Sequence, residues 1–291
     1  MTGLAKHAGD LWVGRYTRSS ASVIAARATV AHLKPIVVIT GASRGIGAAL
    51  AERFSSAGYP VAIVARHAGE LEMMAARLRD KTGQTILPIV CDITLPSAAA
   101  GIDETLAANG FYLDILVNNA GIGLSGYFEQ HSQPDLDTMV ALNIAALTRL
   151  MHHGLKGMRA RQRGGILNVA SLGGAGPGPF QAAHYASKGY VIALTEAVGA
   201  ENRGDGVRFS VLAPGPVDTG FHAAMNAERA RYRLLLPALT VQQAASAAFW
   251  GFTIGQRLIV PGVFNRLLYV CLRFIPHAVT VPVVRWLLRL P

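Results

Sequence analysis

Cysteine is nearly absent from this chain: Cys91 and Cys271 are the only two in 291 residues, far apart and without metal-ligand spacing. The pattern argues against a disulfide framework or a zinc site and for a reducing, cytoplasmic setting. Charge is also thin, at 15% of residues against 51% for the apolar set. No polar linker, low-complexity run or internal repeat interrupts the chain, which favours one large α/β domain with a well-buried core. Acid is missing altogether from residues 256–291, which carry five arginines and a net +5, while residues 1–34 carry a net +4. Of the overall +10 this leaves about +1 for the 221 residues between. The basic balance therefore belongs to the two ends and does not mark a nucleic-acid-binding face.

From residue 35 onward short β-branched runs alternate with longer helical patterns. "PIVVIT", "VAIVAR", "TILPIVCD", "LDILVNNAG", "GGILNVAS", "VRFSVLAPG" and "RLIV" read as strands. Helices are expected after the first turn and at about 134–162, 183–202 and 240–254. Several strands are apolar throughout, which marks burial on both faces. The expectation is a doubly wound parallel sheet of Rossmann type over residues 35–260. Residues 1–34 form an N-terminal extension, either flexible or a targeting segment, being rich in Arg and Ser and poor in acid. Residues 261–291 form a basic, apolar C-terminal tail.

Two short stretches carry chemistry on their own terms. "TGASRGIG" follows the first strand and opens a helix, with Gly41, Gly45 and Gly47 permitting a tight turn and close backbone approach. A helix N-terminus there offers free N–H groups to a phosphate. In "AHYASKGY", Tyr185 and Lys188 stand three positions apart with no acid beside them. On a helix both lie on one face, and an ammonium there would favour the phenolate and lower a pKa that is ordinarily about 10.

Together with four further stretches, "CDIT", "NNAG", "ALNIAAL" and "NVASLGG", and with the later "PGPVDTG", these motifs resemble the short-chain dehydrogenase/reductase family over about residues 35–260. The resemblance implies a nicotinamide cofactor and assigns catalytic roles to Asn143, Ser171, Tyr185 and Lys188. It places Gly41, Ser43, Arg44, Gly45, Ile46 and Gly47 at the cofactor phosphates, Asp92 at the adenine, and Asn119, Ala120 and Gly121 along the cleft. Lys188 and Tyr185 would meet the nicotinamide ribose, and Pro214, Gly215, Val217 and Thr219 the nicotinamide. By the same analogy Tyr185 is the general acid/base, Ser171 holds the substrate oxygen, and Asn143 anchors a water behind Lys188. Plainer readings stand beside these: Asp92 as a helix N-cap, Asn118 and Asn119 as turn formers, and Ser171 as a strand-end serine.

The second strand ends at Ala65 and Arg66, where an acid would favour NAD. With Arg44, two guanidiniums could flank a 2′-phosphate, so NADP(H) and net reduction are expected. Ile122, Leu124, Tyr127, Phe180, Phe221, Met225 and Leu234 to Leu236 suggest an apolar pocket for a lipophilic ketone or aldehyde, such as a 3-oxoacyl group or a sterol. His184 and His222 read as bystanders. An oxidative alcohol or hydroxysteroid dehydrogenase, and a catalytically silent NADP-binding regulator, are the alternatives. A homodimer or homotetramer is expected.

The tail lacks a long uncharged run: after Gln256 the longest, Phe274 to Val284, has 11 residues, short of the ~20 that a bilayer span needs. Pro276 and Pro282 discourage one continuous helix. Short basic helical pieces are expected instead, packed over the substrate cleft or a partner subunit, or lying peripherally in an anionic membrane interface.

Overall fold

The computed structural model describes residues 20–221, 225, 231–232 and 237–289. A seven-stranded parallel sheet runs through it in the order β3-β2-β1-β4-β5-β6-β7. Its strands are β1 (Lys34–Thr40), β2 (Val61–Ala65), β3 (Ile86–Val90), β4 (Phe111–Asn118), β5 (Gly164–Val169), β6 (Val207–Leu212) and β7 (Leu258–Ile259). The continuous apolar runs are central strands with both faces covered: every residue of β5 is buried, as are Ile36–Thr40 of β1. Parallel pairing needs crossovers, and these are the helices α2 (Gly45–Ser56), α3 (Ala68–Thr82), α4 (Ala98–Ala108), α5 (Gln133–Val140), α6 (Leu147–Arg161), α7 (Ala182–Glu201) and α8 (Val241–Thr253), with α1 (Ala21–Thr29) preceding the first strand. Two tail helices follow, α9 (Val263–Phe274) and α10 (His277–Leu288).

Order reverses between β1 and β4. The chain leaves β1 for β2 on one side and comes back through β4 on the other, so the connections at their C-terminal ends diverge and open a crevice. Two apolar layers hold the sheet. One packs α2, α3 and α8 around Phe54, whose ring meets Tyr59, Phe249 and Phe252 edge-on at centroid distances of 5.8, 5.1 and 6.3 Å. The other packs α4 and α6 on the opposite face, with Met151, Met158 and Ile166 among its buried members.

Helix α7 shows why the sequence puts polar groups inside. Its buried residues, His184, Ser187, Lys188, Val191, Ile192 and Thr195, recur at helical spacing and form one face toward the sheet. The inner part of that face is satisfied by a side-chain chain: Asn118 donates to Asn168 at 2.9 Å, Asn168 to Thr195 at 2.8 Å, and Thr195 to the Val191 carbonyl at 2.6 Å. Adjacent β4, β5 and α7 are thereby tied in one register.

The expected long helix at 134–162 is continuous, but its middle, Ala141–Ala146, is π-helical between α5 and α6. Ser132 caps its start, accepting from the Asp135 N–H at 3.3 Å. At the N-terminal end α1 buries Val23, and Arg27 Nε donates to the Arg161 carbonyl at 3.0 Å at the close of α6. Residues 1–19, expected to belong to the extension, lie outside the described residues. In the tail Pro276 separates two helices as expected, whereas Pro282 sits inside α10, exposed to solvent.

Phe54 offers a test of the packing. Phe54→Ala is expected to cost about 3–5 kcal/mol of unfolding free energy, with the denaturant slope unchanged, in a urea titration. A loss below about 1 kcal/mol would mean that this aromatic cluster does not hold α2 and α8 to the sheet.

Candidate active site

One large cleft, of about 1040 Å³, opens over the C-terminal ends of β1, β4 and β5. Every residue named above as a catalytic or cofactor-binding candidate lines it except Gly47 and Asn143. Both exceptions lie just behind the wall, and each supports a residue that does line it.

The glycine-turn end of the cleft is built by close approach. Gly41 follows β1 with φ +64, and a Cβ on it would come within 2.8 Å of the Ala120 backbone. A Cβ on Gly47 would collide with the Gly41 carbonyl and the Asn119 amide. These two glycines let the turn fold flat against the end of β4, leaving a backbone cradle at the start of α2. Asn119 locks the arrangement, donating to the carbonyls of Thr40 at 2.9 Å and Gly41 at 3.1 Å. Thr40, which sequence reasoning did not single out, accepts from the N–H groups of Asn119 and Ala120 at 3.0 and 3.1 Å. Its hydroxyl lies immediately before the glycine turn, so a polar residue ending an otherwise apolar strand was the available signal. A dinucleotide pyrophosphate fits this cradle of amides and small residues.

Farther along the same wall, Asp92 accepts from the Thr94 hydroxyl at 2.7 Å and N–H at 2.9 Å. Those bonds, with nearby Arg66, hold its carboxyl below the usual range. Asp92 is not an N-cap, since α4 starts at Ala98 after Ser97; it closes an Asx-type turn. Arg44 and Arg66 are both exposed at this end, and Glu70 of α3 shares the rim.

At the reactive end, Ser171 leaves β5 and its Oγ accepts from the Gly173 N–H at 3.1 Å. The Tyr185 ring is seated against Gly173 and Gly178: a Cβ on Gly173 would stand 2.8 Å from the ring Cζ, and one on Gly178 would overlap the ring. Two glycines in "GGAGPGPF" therefore make the socket for the phenol. Lys188, one turn later, is buried and its Nζ donates to the Val169 carbonyl at 3.0 Å. Asn143 brackets the Ile122 backbone, donating to its carbonyl and accepting from its N–H, both at 2.9 Å, and donates to Ser187 Oγ at 3.1 Å. The π-helical turn aims it there; such turns concentrate at functional sites. Gly121 fits between Asn143 and Lys188, where a Cβ would lie 3.1 Å from Asn143 Oδ1 and 3.4 Å from Lys188 Nζ.

Electrostatics correct one expectation. The lysine was expected to pull the Tyr185 pKa down toward working pH. Instead burial first, and the neighbouring Tyr232 phenol second, push it well above its ordinary value. Burial alone brings Lys188 down to about 8. Desolvation disfavours the charged form of each group and here outweighs their mutual field. Tyr232 also escaped the sequence reading, lying in a segment with no motif.

At the far end Ile122, Leu124, Phe221 and Met225 line the cleft, while Tyr127 and Phe180 stack edge-on with each other at 5.2 Å outside it. His184 is buried in the wall. His222 and Leu234 to Leu236 lie outside the described residues. The tail closes this end: Leu268 and Leu272 of α9 and Val284, Leu287 and Leu288 of α10 line the cleft. Buried Asn265 presses on Gly215, where a Cβ would meet its Cγ at 2.7 Å, so α9 seats directly on the "PGPVDTG" loop. Among the described residues no group of His, Cys, Asp or Glu is arranged to hold a metal ion.

Comparison with known proteins agrees with this geometry. The family model for short chain dehydrogenase matches residues 35–230. An uncharacterized short-chain type dehydrogenase/reductase of Sinorhizobium fredii is 33% identical over 201 residues, 68% of this chain and 77% of that protein. Human 17-beta-hydroxysteroid dehydrogenase type 3 is 33% identical over 192 residues, 65% of this chain and 61% of that one. Among solved structures, a short-chain dehydrogenase from Sphingobium yanoikuyae in complex with NADPH superposes with a TM-score of 0.74 at 29% identity, covering 85% of this chain and 95% of that one.

The buried lysine carries a measurable stability cost. Its pKa falls from 10.5 to about 8, so below pH 8 it is protonated in both the folded and unfolded states and the penalty, on the order of 3 kcal/mol, is fully present. Between pH 8 and 10.5 the unfolded chain binds the proton and the folded one does not, so stability from this group rises with pH. Lys188→Met, without added nucleotide, is expected to stabilise the fold at pH 7 by about 2 kcal/mol after loss of the Val169 bond. The gain should shrink as pH passes from 8 to 10.5, read from denaturation at each pH. A destabilised variant at pH 7 would show that the charge is not penalised by burial.

Proposed function

This chain belongs to the short-chain dehydrogenase/reductase family, and we propose that it is an NADP(H)-dependent oxidoreductase reducing a lipophilic ketone or aldehyde to the alcohol. As a family member it is an oxidoreductase. The observation that carries the finer reading is one continuous cleft, with Ser171, Tyr185 and Lys188 on its wall, a glycine cradle and two arginines at one end, and leucines of α9 and α10 at the other.

The Gly41–Gly47 turn and the start of α2 would hold the cofactor phosphates, Asp92 the adenine side, Asn119 to Gly121 the cleft wall, and Pro214 to Thr219 the nicotinamide side. When bound, the nicotinamide supplies a hydride to the substrate carbonyl carbon. Tyr185 donates its phenolic proton to the carbonyl oxygen, and Ser171 hydrogen-bonds the same oxygen and orients it. A phenol whose pKa is raised by burial stays protonated across working pH, which suits an acid serving a strongly basic developing alkoxide. The oxidative alternative needs the phenolate at the start of the reaction, and burial opposes it. Lys188, with a pKa of about 8, remains mostly an ammonium at neutral pH and would meet the nicotinamide ribose. Asn143 holds the Ile122 backbone and Ser187 behind that lysine and acts as a positioning residue.

Preference for the 2′-phosphate rests on Arg44 and Arg66, both exposed on the rim. Glu70 and Asp92 share it, but one Asp92 oxygen is committed to Thr94. The Sphingobium yanoikuyae relative, solved with NADPH, supports the same choice. The leucine-lined end, and a hydroxysteroid dehydrogenase among the relatives, support a lipophilic substrate.

An NADPH-oxidation screen over ketones and aldehydes of rising chain length and ring number should give activity that increases with apolar size; no turnover with any of them would sink the reading. In Tyr185→Phe, NADPH affinity should stay within a few fold while turnover falls by about 10²–10⁴. NADPH should bind more tightly than NADH, with Arg66→Asp narrowing the gap by roughly ten- to a hundredfold. Equal affinity of the wild-type protein for both cofactors would refute the 2′-phosphate assignment.

A further inference from the structure

Helices α9 and α10 have two apolar faces, and only one is used by the fold. The inner face holds Asn265, Tyr269 and Leu272 of α9 and Thr280, Val284 and Leu288 of α10, all buried against the domain. The outer face of α9 carries Val263, Leu267, Val270 and Phe274, at intervals of four, three and four residues and 82%, 62%, 49% and 79% exposed. On α10 it continues as Val279, Val283 and Trp286, again at helical spacing and each more than half exposed. Elsewhere in the described residues large exposed apolar side chains occur singly or in pairs, as Met73, or Trp250 with Ile254. Scattered residues of that kind need no explanation, whereas a continuous face does.

Charge identifies what covers it. Arg266, Arg273, Arg285 and Arg289 are exposed on these same two helices, and residues 256–291 contain no acid. Trp286 stands beside Arg285, with the Arg231 guanidinium 5.1 Å over its ring. An apolar stripe edged by guanidiniums, with an indole at its margin, suits the boundary between acyl chains and anionic headgroups, where arginines can snorkel outward. A second copy of the chain on this face would bring two sets of arginines together with no tail carboxylate to offset them. Spanning is excluded by length: twelve residues per helix reach about 18 Å, and no described helix is long and apolar enough to cross a bilayer.

We propose that the outer face of α9 and α10 docks peripherally on an anionic lipid surface. Docked this way, the wall that carries Leu268, Leu272, Val284 and Leu287 toward the cleft is one helix thick between lipid and cavity. The binding itself does not depend on the substrate reading, since it can be measured without turnover.

The test is flotation of the full-length protein with vesicles of phosphatidylglycerol and phosphatidylcholine, and with phosphatidylcholine alone. Wild type is expected to float with the anionic vesicles at low salt, and to be released by salt. Leu267→Ser/Phe274→Ser, at two exposed residues that do not line the cleft, should stay at the bottom while keeping its melting temperature and NADPH affinity. Replacing Arg273, Arg285 and Arg289 by Gln should weaken partitioning by roughly fivefold per arginine. Wild type left at the bottom at low salt would overturn the proposal. So would flotation of the serine variant equal to wild type, which would place lipid binding at the basic N-terminal residues. A dimer in gel filtration that the serine variant dissolves, with no flotation of either protein, would assign the face to a second copy and overturn it as well.

Discussion

Four hydrogen bonds between the ends of β1 and β4 set the geometry on which the cleft depends. Asn119 reaches back to the carbonyls of Thr40 and Gly41, and the Thr40 hydroxyl receives the N–H groups of Asn119 and Ala120. At this point the two connections diverge, so the strand ends would otherwise leave backbone groups unpaired in a crevice. Because side chains satisfy them, the glycine turn can lie against Ala120 and present its remaining amides outward. The glycine cradle and the start of the wall that carries Ser171, Tyr185 and Lys188 are in this sense one structure.

From that wall inward the site trades solvation for position. Lys188 is buried beneath Gly121 and fastened to the Val169 carbonyl, and Tyr185 is socketed between two glycines. Both lose water, and both have their neutral forms favoured. In the proposed reduction, a phenol kept protonated by burial is a suitable acid. The polar chain Asn118–Asn168–Thr195 fixes α7 on β5 and so fixes where the phenol stands. Removing water strengthens every remaining electrostatic contact, which is why so few groups suffice.

The tail adds what the parallel sheet does not provide. A Rossmann-type sheet offers a crevice open on its substrate side; here α9 is keyed to the Pro214–Thr219 loop through Asn265 and Gly215, and α10 follows across Pro276. Leucines from both helices make that side apolar. The cofactor side is edged by arginines, so the cleft is graded from charged to greasy along its length. The proposed choice of a large apolar carbonyl compound over a small polar one rests on this gradient.

Much of this was legible in the residues themselves. Unbroken β-branched runs meant strands covered on both faces, hence a parallel sheet with helices on either side. Glycines after the first strand meant close backbone approach, and Tyr185 with Lys188 meant one helical face. Such signals are local: they depend on side-chain volume, backbone freedom and spacing along a few turns. Thr40, Tyr232 and Asn265 were not legible, because each matters through a partner distant in sequence or outside any motif. Nor was the direction of the tyrosine pKa. Spacing puts an ammonium near a phenol, but only packing decides how much water each retains, and desolvation prevails. The tail shows the same division. Its composition determined two short basic helices and excluded a span, while the choice of inner face was made by the cleft beneath it, since only assembled neighbours can bury one stripe of a helix and leave an apolar one bare.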